Sequence, residues 1–284
     1  MRFMRRAFTL AAGLCLPGLP LLAATPSAHL VDELSRSAKT LNKKVLVHAL
    51  SAMQCAVNHG AEAADRLAVI DFSLPSSERR LWIFDLRSKE LLLTDYVAHG
   101  SKSGANHAKE FSNRVGSHQS SLGLFRTAES YRGKHGYSLR MDGLEPGIND
   151  RARERAIVIH PADYVNPKWI ASQGRIGRSQ GCPAVRPEVG RMVVDSLKGG
   201  QYLFAWYPDQ DWLASSAYLN CASPSGSPPF SRNAIEDRGE RNVLASFDLG
   251  RHPQDLFERG LSDSNLLRAG QPQATHAFLE RSVP

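Results

Sequence analysis

The sequence is short of several things, and each shortage narrows what the chain can be. Its 284 residues include only four cysteines, five methionines and four tryptophans, and no internal repeat. Four cysteines in a chain this long do not make a disulfide-dense scaffold. No C-x-x-C pair occurs, and His99, His107, His118 and His135 do not fall at H-x-x-x-H spacing, so neither metal nor cofactor is expected. Beyond residue 24 no apolar run reaches the roughly 18 residues that span a bilayer. With 16 prolines and 22 glycines spread through it, the chain is neither a coiled coil nor, lacking a triplet repeat, a collagen. Acids are missing before Asp32, while Arg2, Arg5 and Arg6 crowd the first six residues. Setting those three arginines aside lowers the formal charge from +7 to +4. That mild positive balance suits a substrate bearing carboxylates and predicts no nucleic-acid partner.

What is present fits a globular protein of one or two domains, with 42% apolar and 22% charged residues. Residues 1–24 are predicted to be a signal peptide. A basic start leads into an apolar stretch at 7–16, then Pro17 and Pro20, then the small residues Ala23, Ala24 and Thr25. A transmembrane anchor over 7–24 is the competing reading, disfavoured by the two prolines and the lack of a positive stop-transfer flank. The expected address is therefore export to the periplasm or cell envelope, with no stable membrane anchor after cleavage. Loss of Cys15 with that peptide would leave Cys55, Cys182 and Cys221. An odd count in an oxidising compartment suggests one disulfide and one free thiol. Three pairings are open, as is a set of three buried thiols. Because the neighbours of Cys182 look chemical, Cys55–Cys221 is the expected bond.

An N-terminal helical segment is expected over 28–65. Within 42–59, Val45, Leu46, Ala49, Leu50, Met53 and Val57 recur every three or four residues, and Gly60 can cap the end. From residue 66 the period changes to short runs rich in branched and aromatic residues at 67–72, 81–86 and 91–98, with further strands at 122–127, 137–141, 156–160 and 201–207. Short helices are expected at 166–173 and 187–197. Many strands and few helices predict a mainly β domain over 66–208. Residues 209–284, with the Pro/Ser-rich run at 222–231, read as a largely disordered tail.

Chemistry concentrates in residues 155–186, RAIVIHPADYVNPKWIASQGRIGRSQGCPAVR. A β-branched strand ends at His160, with Val158 and His160 on one face and Ile157 and Ile159 on the other. In Ser179-Gln180-Gly181-Cys182-Pro183, Pro183 biases Cys182 toward an extended backbone and Gly181 permits a tight turn. A thiol presented this way has turn N–H groups beside it as oxyanion donors. Thiolate is the nucleophile, so an ordinary thiol needs a cation nearby. His160 as imidazolium is expected to supply it, with Arg175 and Arg178 adding to the field, and to pass its proton to a leaving amine. The residue types alone point to thiol-based acyl transfer on an amide; a structural cysteine and a hydrogen-bonded core histidine are the plain alternative. A zinc site built from the four loop histidines and Cys182 is disfavoured by their spacing.

The same stretch resembles the L,D-transpeptidase catalytic-domain family, in its murein branch, where a histidine is followed by S/T-x-G-C. Further matching blocks are Val97-Ala98-His99-Gly100-Ser101-Lys102-Ser103-Gly104, Phe111-Ser112-Asn113, Ser120-Ser121-Leu122-Gly123, Gly133-Lys134-His135-Gly136-Tyr137-Ser138-Leu139, Gly143-Leu144-Glu145 and the run from Gly174 to Val185. Together they cover about residues 71–208. The resemblance implies a β-sandwich-like catalytic domain with a few flanking helices, Cys182 as nucleophile and His160 as general base and acid. Ser179, Gly181, Arg178 and Arg175 would belong to the active-site motif, and His99 would line the cleft. It implies peptidoglycan stem peptides as substrate, a thioester intermediate, and a 3-3 crosslink as product. With water as acceptor the same machinery is an L,D-carboxypeptidase; a catalytically silent wall-binding module is the remaining alternative. The sequence departs from the family in having Pro161 where glycine commonly follows the histidine, and Ala184 where many members carry arginine. Arg186, Arg178 or Arg175 would then have to bind the stem carboxylate.

Overall fold

A computed structural model describes residues 26–221. The expected signal peptide at 1–24 and the part of the tail at 222–284 lie outside the described residues. Two helices come first, α1 (Ala28–Ser37) and α2 (Lys43–Asn58). The Asn42 side chain caps α2 by accepting the Lys44 N–H, and the predicted stripe of Val45, Leu46, Ala49 and Leu50 is the face it buries.

Strands β1 (Arg66–Asp71), β2 (Leu81–Asp85), β3 (Glu90–Asp95), β4 (Val97–Ala98), β5 (Gly123–Gly133), β6 (Gly136–Gly143) and β7 (Val158–Pro161) follow. After α3 (Lys168–Gln173) come β8 (Ala184–Val185), α4 (Pro187–Leu197), β9 (Tyr202–Trp206) and α5 (Gln210–Ser215). The nine strands hydrogen-bond in the order β3-β2-β1-β9-β5-β6-β7-β8-β4. The protein is mainly β with a few helices, as its sequence suggests. Strands β1 and β9 pair in parallel at the centre and are almost wholly buried, which explains their continuous apolar runs, LAVI and YLFAW. Helix α2 packs on β1, β5 and β9, and α4 on β1, β6 and β7.

Residues 209–221, the described part of the stretch expected to be tail, pack on the domain. Asp209 caps α5 through the Trp212 N–H, and Trp212 and Tyr218 are buried. The Trp212 indole N–H and the Ser216 hydroxyl donate to Oε2 of buried Glu145 at 3.0 and 2.6 Å, while the Leu124 N–H donates to Oε1 at 2.8 Å. Cys221 is disulfide-bonded to Cys55, the expected pair, closing a span of 166 residues, and Cys182 is the free thiol among the described cysteines. Composition missed this segment because Trp212 and Ser216 meet their partner 67 and 71 residues away.

Candidate active site

Parallel strands β7 and β8 set the site. His160 pairs with Ala184 and Pro161 with Val185, while β4 joins the other edge of β8 through Ala98 and Ala184. Continuing that register places Cys182 level with Val158, and the Val158 N–H points at Cys182 Sγ at 3.5 Å. The two-residue period of β7 then puts Val158 and His160 on one face. The remaining polar contact of the sulfur is the Ala156 carbonyl oxygen, 3.7 Å away. No hydrogen bond joins Sγ to the imidazole among the described residues; the register sets Cys182 and His160 two positions apart along neighbouring strands, and their own polar partners are backbone groups.

The turn around Cys182 is held from three sides. Ser179 Oγ donates to the Cys182 carbonyl at 2.6 Å and accepts the Gly181 N–H at 3.1 Å. Ser120 Oγ donates to the Gly181 carbonyl and accepts the Gly100 N–H. Gly181 has φ +123°, and a Cβ there would lie 2.8 Å from the Gln119 carbonyl oxygen, so this position accepts glycine only. Ser179 and Gly181 are thus positioning elements of the turn. The Gly181 N–H is occupied by Ser179, which leaves the Cys182 N–H, facing its own sulfur, as the nearest donor for an oxyanion.

His160 is buried, with Nδ1 3.0 Å from the carbonyl oxygen of Pro161. A carbonyl only accepts, so Nδ1 carries the proton and Nε2 keeps its lone pair. Proline in place of the family's glycine therefore still supplies the orienting carbonyl. Burial holds the His160 pKa below the usual imidazole value, and the His135 ring, centred 4.6 Å away, pushes the same way. Burial also raises the Cys182 thiol, opposed by the Val158 N–H and by Arg155. Both shifts favour a neutral thiol beside a neutral imidazole. These directions run against a standing thiolate–imidazolium pair and suit a His160 that accepts a proton.

The arginines are also reassigned. Arg178 donates to the Ser101 and Gly104 carbonyls at 3.2 and 2.8 Å, tying the 99–104 loop to the turn, and Arg175 donates to the Ile176 carbonyl. Arg186 forms a bidentate pair with buried Asp95, at 2.8 and 2.7 Å, and is not free to bind a substrate carboxylate. The guanidinium packed against the Cys182 turn belongs to Arg155, whose Nη2 would lie 3.4 Å from a Cβ on Gly181. Sequence reasoning passed over it although it opens the chemical stretch, because its hydrogen-bond acceptors come from residues 112–121.

His99 does not line a cleft. It is fully buried, its Nδ1 accepts from Arg80 at 2.6 Å, and burial beside that cation pushes its pKa down to about 3. Its contribution to the site is its carbonyl, which accepts the Ser179 N–H at 2.9 Å. Tyr164 stands edge-on to His160 and, with Val165, Ile170 and Ile176, belongs to a small core under the 162–176 loop. His99, His107, His118 and His135 form no ligand cluster with Cys182; among the described residues the one group of three metal-type ligands is Cys55, His59 and Cys221.

A family model described as the L,D-transpeptidase catalytic domain matches residues 37–206. No curated protein matches the sequence. Among solved structures, the L,D-transpeptidase from Mycobacterium smegmatis is similar at 15% identity and a TM-score of 0.32, over 51% of this chain and 60% of that one. The Stackebrandtia nassauensis L,D-transpeptidase gives 11% and 0.31, over 62% and 76%. Residues 123–326 of the Xylanimonas cellulosilytica L,D-transpeptidase give 14% and 0.30, over 68% of this chain and 100% of that one. The chain thus spans three fifths of the length of the Mycobacterium smegmatis protein.

Proposed function

This chain belongs to the L,D-transpeptidase catalytic-domain family, whose members act on peptidoglycan peptides, and from that premise we propose that it is an exported enzyme that transfers a stem-peptide acyl group through Cys182. The observation that carries the reading is the 3.0 Å contact of His160 Nδ1 with the Pro161 carbonyl oxygen. With Nδ1–H held on the Pro161 carbonyl, Nε2 is left as the base, two positions along β7 from the level of Cys182.

In the proposed reaction the thiol attacks the carbonyl between the third and fourth residues of a stem. Its proton passes to His160 Nε2 as the S–C bond forms, and the oxyanion is met by the Cys182 N–H. The C–N bond then breaks, and the imidazolium returns the proton to the departing amine of the terminal residue. A second stem's side-chain amine attacks the thioester, His160 takes its proton, and the sulfur leaves with that proton as the new amide forms. The product is a 3-3 crosslink. Thiol and imidazole between them move every proton in the scheme. With Arg186 locked on Asp95, the cations left to receive a stem carboxylate are Arg175 and Arg178.

Incubating the purified chain with disaccharide-peptide stems and weighing the products tests the proposal. Linked stems are expected. Shortened stems alone would make it an L,D-carboxypeptidase. Unchanged stems that stay bound to the protein would make it a wall-binding module. A Cys182→Ala chain giving the same products as wild type would overturn the assignment of the nucleophile.

A further inference from the structure

We propose that Arg155 is a positioning residue whose fixed positive charge, rather than the imidazole of His160, stabilises the anionic sulfur of Cys182. The inference rests on the reading of Cys182 as the nucleophile.

Arg155 precedes Ala156, and Ala156 has φ +53°, a left-handed conformation that a residue with a Cβ adopts at a cost of about 1–2 kcal/mol. That turn points the Ala156 carbonyl at Cys182 Sγ and sends the Arg155 side chain into the 112–121 loop. There Nη1 donates to the Ser112 carbonyl and to Ser121 Oγ, while Nη2 donates to Ser117 Oγ at 3.1 Å and to the Gln119 carbonyl at 2.6 Å. A Cβ on Gly181, the residue before the thiol, would lie 3.4 Å from Nη2. The guanidinium is therefore wedged beside the nucleophile turn and cannot swing away without breaking four hydrogen bonds.

All four acceptors are uncharged, so they fix the group in place without neutralising it. A guanidinium keeps its proton at any working pH, and a half-buried one is poorly screened by salt. The other ionisable groups facing this point do not replace it. Arg151, of like charge, is paired with Glu154; Tyr164 is held neutral by burial; and His160 is held neutral by burial and by the His135 ring. When the thiol gives its proton to His160, the cation that remains at the sulfur through the whole acyl cycle is Arg155.

A purely structural clamp and a charge on the sulfur differ in one measurable respect, the pH profile of thiol alkylation. The rate of Cys182 alkylation by iodoacetamide against pH is to be compared for wild type, Arg155→Gln, Arg155→Lys and His160→Ala. In Arg155→Gln the midpoint is expected to move up by about one pH unit, on the order of tenfold slower labelling at pH 7. Arg155→Lys, which keeps the charge and loses the fork, should stay within about threefold of wild type. His160→Ala should abolish muropeptide turnover and leave the alkylation midpoint where it was. The proposal is overturned if a folded Arg155→Gln keeps the wild-type midpoint, if Lys shifts it as far as Gln, or if His160→Ala raises it. Should neither Arg155 variant melt cooperatively, His160→Ala decides alone: an unmoved midpoint supports the proposal and an upward shift overturns it. Absence of muropeptide turnover in wild type, with these midpoints as expected, retires the acyl-transfer reading and keeps Arg155 as the partner of the sulfur.

Discussion

Beside Cys182, Arg155 bonds to serine hydroxyls and backbone carbonyls; under the segment around Trp212, Glu145 bonds to the Leu124 N–H, the Trp212 indole and the Ser216 hydroxyl. Both regions hold an ionisable side chain with neutral partners, but with opposite consequences. Arg155 is half-buried and keeps its proton, so it leaves a positive field beside the turn where an anionic sulfur would develop. Glu145 is buried out of solvent, and burial raises its pKa against the three donors that favour its charge. Glu145 joins β5 to the segment around Trp212 and Ser216, which Cys55–Cys221 fastens covalently to α2. One region is organised for chemistry and the other for holding the chain together, and substitutions should separate the two.

The largest separation is expected at Cys182. Cys182→Ala should lower muropeptide turnover by on the order of 10⁴-fold while moving the thermal midpoint by no more than a few degrees. A collapse of the midpoint would make the thiol a structural group and break the comparison from the chemical side. Glu145→Ala tests the other side. It leaves three buried donors unsatisfied and should cost about 3–5 kcal/mol in denaturant titrations, with turnover per folded molecule unchanged. The sign of its pH dependence also follows. A carboxyl whose native pKa lies above 4.5 favours folding most when protonated, so its contribution is complete below 4.5 and is lost as pH rises through the raised native value. Wild type should therefore gain stability over Glu145→Ala as pH falls through that window. Replacing Cys55 and Cys221 together should cost about 2–4 kcal/mol and leave the alkylation profile of Cys182 intact. A changed profile would mean that the clamp reaches the site.

The same division explains what could be read from the sequence. Local signals carried far: the three-and-four spacing of Val45, Leu46, Ala49 and Leu50 marked α2, the helix expected at 187–197 is α4, and the β-branched run before His160 is β7. Long-range contacts left no local trace. Arg155 looks like an ordinary charged residue until Ser112, Ser117, Gln119 and Ser121 are folded around it. His99 sits inside a motif and so suggested a cleft residue, whereas Arg80 and the buried sheet edge claim its side chain. Trp212 stands in a polar stretch, and Glu145, Phe204 and Trp206 show why it is buried.

The smallest expected effect probes the boundary of the chemical region. His135 lies in the turn between β5 and β6, exposed, with its ring centred 4.6 Å from that of His160. It disfavours the imidazolium form of His160, adding to the effect of burial. A base with a lowered pKa stays deprotonated to lower pH, so the acid limb of turnover should lie below the ordinary histidine value of about 6.5. Removing His135 takes away part of that bias. His160→imidazolium conversion then becomes easier, and in His135→Gln the acid limb should move up by a few tenths of a pH unit, with the plateau rate nearly unchanged. The move is small because burial, the larger cause, remains. An unmoved limb would mean that the hairpin tip packs against the site without acting on its proton, whereas a fall in the plateau would place His135 among the groups that touch substrate.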